Sequence, residues 1–199
     1  MGKSNRQLWK DYVEGRSAGK TSSAPDVSPS RLVLTKFQGT VLGIDPSLRA
    51  TGIAVVEFCD GGVCLLHHRE TIRIHKSASM MDCLAAISQR CSFVTKTYKI
   101  DHVAVEQTIY VQNYRTAMTL GTAKGAALGI LAQEGFQVFE YPPLRVKQAI
   151  VGNGRASKEQ VAHMVSRMLN SAEWSSSDET DAAAVALCHG FTHCTVGSS

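Results

Sequence analysis

Val41-Leu-Gly-Ile-Asp-Pro-Ser-Leu-Arg-Ala-Thr-Gly-Ile-Ala-Val-Val56 is two apolar runs separated by a polar turn, with a carboxylate closing the first run. Thr40–Ile44 and Ile53–Phe58 read as strands joined by a Pro46–Gly52 turn. Gly61-Gly62 turns the chain again into a third strand over Val63–Ile74. A second apolar run, His102-Val-Ala-Val-Glu106, also ends in a carboxylate. A buried strand that leads straight into an acid is a functional signal, because desolvation of the charge has to be offset by a cation.

Outward from these strands the pattern alternates. Met81, Leu84, Ile87, Cys91 and Val94 recur at helical spacing within Met80–Tyr98. A second long helix is expected from Asn113 to Glu134, followed by a strand over Phe136–Glu140. Pro142-Pro143 breaks the chain before a short helix through Lys147, and Val151-Gly-Asn-Gly154 reads as a loop. Ser157 caps a helix to about Leu169, and Ser177 or Asp178 starts the last one. Three strands, helix, strand, helix, strand, helices describe an α/β protein with a mixed five-stranded sheet flanked by helices, in the order of the ribonuclease H-like fold. Ala117, Gly121, Gly125 and Gly129 share one face of the second helix. Glycine costs about 1 kcal/mol per helical position relative to alanine, so that face is expected to meet another backbone, either the sheet or a second copy of the helix.

The last helix opens with Asp178-Glu-Thr-Asp181, two carboxylates one helical turn apart. Strand ends and a helix start are where an open sheet gathers ligands from distant sequence. Four hard oxygen donors suit Mg²⁺, and metal-assisted phosphodiester hydrolysis uses such a set. Simple capping by an acid at a helix start would explain Asp178 alone, but not its coincidence with Asp45 and Glu106.

The 199 residues are enough for one domain with a core, 44% are hydrophobic, and the net charge is +4. Residues 1–38 hold seven Lys/Arg against three Asp/Glu, and 39–199 hold fourteen of each sign. Residues 1–38 therefore read as a basic, disordered extension, residues 39–194 as the folded domain, and 195–199 as a short tail. Between Glu106 and Asp178 basic residues again outnumber acidic ones, as a metal enzyme acting on a polyanion requires. No apolar run approaches the roughly 18–20 residues of a membrane span, and the six cysteines show no framework spacing. The chain reads as cytoplasmic. In Cys188-His-Gly-Phe-Thr-His-Cys194 two histidines stand at i, i+4 between cysteines; ordinary packing is the expected reading there, with zinc as the alternative.

Gly43-Ile-Asp-Pro-Ser-Leu-Arg-Ala-Thr-Gly52, Val105-Glu-Gln107 and Asp178-x-x-Asp-Ala-x-Ala184 resemble the RuvC family of crossover junction endodeoxyribonucleases. Phe139-Glu-Tyr141, Val146-Lys-Gln148, Val151-Gly152, Lys158-x-Gln-Val161 and His163-Met-Val165 follow in family order. The resemblance covers about residues 39–194. It implies a homodimer that cuts Holliday junctions, four-way junction DNA, in recombination and repair. It also implies two Mg²⁺ ions per active site, with Mn²⁺ as a substitute, held by Asp45, Glu106, Asp178 and Asp181. Lys147 and Lys158 match family lysines near the DNA backbone or scissile phosphate, and Lys158 is the expected catalytic cation. The glycine-lined helix matches the family's dimer helix, and a RuvA–RuvB branch-migration complex is the implied protein partner. Ser47 stands where the family usually has glycine. Ile109 stands where it usually has a phenylalanine wedge, so Ile109 or Tyr110 is expected to enter the junction, with Arg115 a further DNA contact. Two other readings stay open: a non-catalytic junction-binding protein, and an actin- or sugar-kinase-like ATPase built on the Gly-Ile-Asp hairpin, which would need a second lobe.

Overall fold

The computed structural model describes residues 37–108, 113–171 and 173–193. Ile109, Tyr110 and Cys194 lie outside the described residues, as do 1–36 of the basic extension and the 195–199 tail. Five strands, β1 (Gly39–Asp45), β2 (Ala50–Phe58), β3 (Cys64–Arg73), β4 (His102–Glu106) and β5 (Val138–Tyr141), form one sheet in the order β3-β2-β1-β4-β5. β1, β2 and β3 pair antiparallel, while β1–β4 and β4–β5 are parallel. The helices are α1 (Met80–Thr97), α2 (Tyr114–Gln133), α3 (Pro143–Val151), α4 (Lys158–Met168) and α5 (Ser177–Thr192).

The period-2 alternation of the strands assigns the two faces. Leu42, Ile44, Ile53, Val55, Val103 and Val105 point to one side, against Ile87, Cys91 and Val94 of α1 and Ala123, Ala127 and Leu131 of α2. Val41, Ala54, Val56, Phe58 and Ala104 point to the other, against α3, α4 and the alanine-rich α5. Phe37 is 1% exposed and joins this second core. α5 is buried along most of its length, from Ala182 to Gly190, because sheet and helices cover it on several sides. That explains why its sequence is small and apolar all round rather than amphipathic.

Two glycines set how deeply α5 sits. A Cβ on Gly43 would lie 2.1 Å from the Ala182 carbonyl oxygen, and one on Gly52 would lie 2.0 Å from that of Asp178. Any side chain at either position would lift the helix off the sheet. Gly52 also pairs directly with Asp45 in the β1–β2 ladder, so β2 begins at Ala50, ahead of the expected Ile53. The intervening turn is closed by buried Thr51, whose hydroxyl donates to the Ser47 carbonyl at 2.5 Å and accepts from the Ser47 N–H at 3.2 Å. Ser47 does not adopt a positive φ, so serine fits where the family has glycine.

Boundaries differ from the sequence reading in two further places. α3 runs to Val151 rather than stopping at Lys147, because Val146 and Ile150 continue its buried face and Gly152, at φ 78°, provides the left-handed cap. β5 starts at Val138, since the Phe136 N–H donates to the Leu131 carbonyl at 3.0 Å and so belongs to the closing turn of α2. The glycine face of α2 does not pack on the sheet: a Cβ at Gly121, Gly125 or Gly129 would meet nothing within 4 Å.

Candidate active site

β1 and β4 are parallel neighbours, and Ile44 pairs with Val105. Asp45 and Glu106 are therefore the next residues along both strands and emerge side by side at the carboxyl end of the sheet. A cavity of about 160 Å³ opens there, lined by Asp45, Pro46, Glu106, Gln107, Thr108, Leu120 and Pro143. The third contributor is the start of α5, seated against Gly52. Its cap is Ser176, whose side chain accepts from the Glu179 N–H at 3.4 Å. Asp178 is thus released from the capping role that could have accounted for it. Of the three acids in Asp178-Glu-Thr-Asp181, Glu179 turns inward. It is 4% exposed, accepts from the Ser175 N–H at 3.1 Å and pairs with Arg69 at 3.6 Å. Asp178 and Asp181 are left on the side of β1.

Electrostatics tie the four together. Burial raises the Asp45 pKa from 3.8 to about 7, helped by the charges of Glu106, Asp181 and Asp178 and opposed by Lys158. Glu106 is also raised, by burial and by Asp181, while a hydrogen bond from Asp45 and the charges of Lys158 and Lys147 pull it down. Burial and like charge thus push both strand-end carboxyls in the same direction, toward holding their protons. Lys158, the first residue of α4, reaches Asp181 at 3.1 Å with its own side chain 74% exposed. That hydrogen bond raises the lysine pKa further, so the ammonium stays charged.

The structure thus brings Asp45, Glu106, Asp178, Asp181 and Lys158 to one place, with Lys147 on α3 near enough for its charge to act on Glu106. Arg115 is in the first turn of α2, and its N–H donates to the Asn113 side chain at 2.9 Å; no contact joins it to the carboxylates. The donor set fits a hard divalent cation: oxygen ligands in surplus negative charge, with no thiol or imidazole among the described residues that line the cavity. Gly43 and Gly52 stand out in the sequence only as part of the hairpin motif, and their role in bringing Asp178 up to Asp45 depends on a helix more than a hundred residues away. Sequence reasoning also misses His102 as a partner of His189 and His193, although the three share a cluster.

Comparison with known proteins agrees with this geometry. The family model described as "Crossover junction endodeoxyribonuclease RuvC" matches residues 41–189. Crossover junction endodeoxyribonuclease RuvC of Akkermansia muciniphila is 41% identical over 152 residues, covering 76% of this chain and 90% of its own. The same-named protein of Trichlorobacter lovleyi is 43% identical over 150 residues, covering 75% and 83%. Among solved structures, T. thermophilus RuvC in complex with Holliday junction substrate superposes with a TM-score of 0.73 at 33% identity, covering 77% of this chain and 94% of that one. The mixed sheet with its flanking helices is accordingly the ribonuclease H-like fold, while nuclease action on DNA and dependence on a divalent metal come with the family match. The chain belongs to the RuvC family of crossover junction endodeoxyribonucleases.

Proposed function

We propose that the chain resolves four-way junctions as a homodimer, hydrolysing phosphodiester bonds with two Mg²⁺ ions held by Asp45, Glu106, Asp178 and Asp181. The observation that carries this reading is the unbalanced charge of the site. Burial first, and then the charges of Glu106, Asp181 and Asp178 from neighbouring elements, push the Asp45 pKa up to about 7, and bound divalent cations would offset that unfavourable charge. Asp45, Glu106, Asp178 and Asp181 would together hold the ions. When bound, such ions lower the pKa of the attacking water and stabilise the leaving 3′ oxygen, and Mn²⁺ is expected to substitute.

The chain's own groups do the rest. Lys158, on the solvent side of Asp181, can swing from that carboxylate to the phosphate and meet its developing charge. Lys147 and Arg115 contact the DNA backbone, and Ile109 or Tyr110 enters the junction. The second protomer docks on the exposed face of α2, where Tyr114 and Met118 are 74% and 54% exposed and Gly121, Gly125 and Gly129 leave open space. Two active sites in one dimer match the two strands that must be cut. A RuvA–RuvB branch-migration complex is the proposed protein partner, and a cytoplasmic setting suits the five described cysteines, all free thiols.

A labelled four-way junction and a linear duplex of the same sequence, incubated with Mg²⁺ or EDTA, test the reading. Paired, symmetric nicks in the junction alone and only with Mg²⁺ are expected. Binding without cutting would return the chain to the non-catalytic alternative.

A further inference from the structure

At the opposite end of the same sheet, three imidazoles converge. His102 begins β4, His189 lies in the last turn of α5, and His193 is the residue that caps it. One ring nitrogen from each falls within 4.8 Å of the others, a spacing no other group of three His, Cys, Asp or Glu reaches among the described residues. His189 is fully buried and stacks on His193 at 4.6 Å between ring centroids, while Phe37 and Phe139 wall the cluster.

The Tyr141 hydroxyl is hydrogen-bonded to His189 Nδ1 at 2.8 Å, and His189 Nε2 lies 2.9 Å from His102 Nδ1. A ligating histidine anchored through its other ring nitrogen is the usual arrangement at metal sites. His102 and His193 are partly exposed, so an ion has an entry path, and His193 at the helix end can turn to complete the set.

We propose that His102, His189 and His193 form a binding site for one first-row transition-metal ion, zinc foremost, distinct from the carboxylate centre. Neutral imidazoles suit zinc and disfavour Mg²⁺, which seeks oxygen. The site lies about 13 Å along β4 from Glu106 at 3.3 Å per residue, and about 18 Å along α5 from Asp181 at 1.5 Å per residue. It would pin together the far ends of the two elements whose near ends carry Glu106, Asp178 and Asp181. The inference is independent of the nuclease reading, since zinc retention and junction cleavage are read separately.

The test uses the full chain, stripped with EDTA, loaded with Zn²⁺ and desalted, with zinc then measured per protomer; Co²⁺ loading gives a visible absorption spectrum of the same site. One equivalent should be retained, should survive excess Mg²⁺, and should persist in Asp45→Asn. His102→Gln and His193→Gln, at partly exposed positions that preserve the core, should each lower zinc affinity at least tenfold and abolish the Co²⁺ bands. Zinc should also raise the unfolding midpoint of the unmodified chain and leave those two variants unmoved. No retained zinc, or retention that both variants match, would overturn the proposal and reduce the cluster to aromatic packing.

Discussion

Replacing Asp45 with asparagine should make the metal-free protein more stable while removing its activity. The carboxyl rises from 3.8 to about 7 on folding, chiefly through burial and then through Glu106, Asp181 and Asp178. A carboxyl whose folded pKa is raised adds stability that is complete below the unfolded pKa and disappears as pH climbs through the folded one. The folded chain therefore loses stability between about pH 4 and pH 7. At 1.36 kcal/mol per pKa unit, the three-unit rise corresponds to about 4 kcal/mol by pH 8, and to about 2 kcal/mol at pH 5. Asparagine keeps the shape and cannot ionise, so it escapes this loss. The coupling with Glu106 makes about 4 kcal/mol a ceiling for Asp45 alone. In EDTA the variant should exceed the parent by about 2–4 kcal/mol at pH 8, a midpoint shift of roughly 10 °C for a domain of this size. The advantage should shrink at pH 5. Urea unfolding followed by circular dichroism and by fluorescence of Trp174, which packs under Arg69 at 4.8 Å, measures both. Saturating Mg²⁺ should reverse the order, because only the parent gains binding energy from the cation. A variant no more stable than the parent at pH 8, or an advantage that does not grow with pH, would refute the crowded-charge account of the site.

Gly52→Ala should cost about 1–3 kcal/mol through overpacking and lower cleavage far more than junction binding, since its methyl would lie 2.0 Å from the Asp178 carbonyl; parallel denaturation and cleavage assays separate the two effects. Gly125→Leu should leave the chain folded and weaken the dimer, as read by sedimentation at micromolar concentration, and an unchanged dimer would move the interface off this face of α2. Deleting residues 1–36 should preserve the cleavage position and make junction affinity less salt-dependent. Every phosphate that the segment no longer neutralises makes the log–log slope shallower by roughly 0.9 on duplex DNA, so identical slopes with and without the segment would exclude a role in holding DNA.

Much of this is readable in the chain because the informative signals are local. The apolar runs ending in Asp45 and Glu106 place two acids at strand ends without any knowledge of pairing, and the Ser157–Gln160 capping box marks the start of α4. What is not readable depends on elements that meet only in three dimensions. Gly43 and Gly52 are ordinary turn and strand glycines until α5 is laid across them. Glu179 is indistinguishable from its acidic neighbours until Arg69, on β3, claims it. His102 sits eighty-seven residues from His189, so only the register of β4 against the sheet brings them together. The end of α3 is hidden because Gly152 looks like the start of a loop, whereas it is a cap that lets the helix run one turn further.

The claim that four carboxylates from three elements act as one metal centre is tested most directly by a single series. Asp45→Asn, Glu106→Gln, Asp178→Asn and Asp181→Asn, with the exposed-pair variant Glu57→Gln as control, are assayed together for Mg²⁺-dependent junction cleavage and for junction binding by gel shift. Each of the four should lose at least a hundredfold in cleavage, about 2.7 kcal/mol in the barrier, while binding the junction as the parent does, and Glu57→Gln should do both normally. Near-parental cutting by any one of the four would remove that residue from the centre and contradict the account.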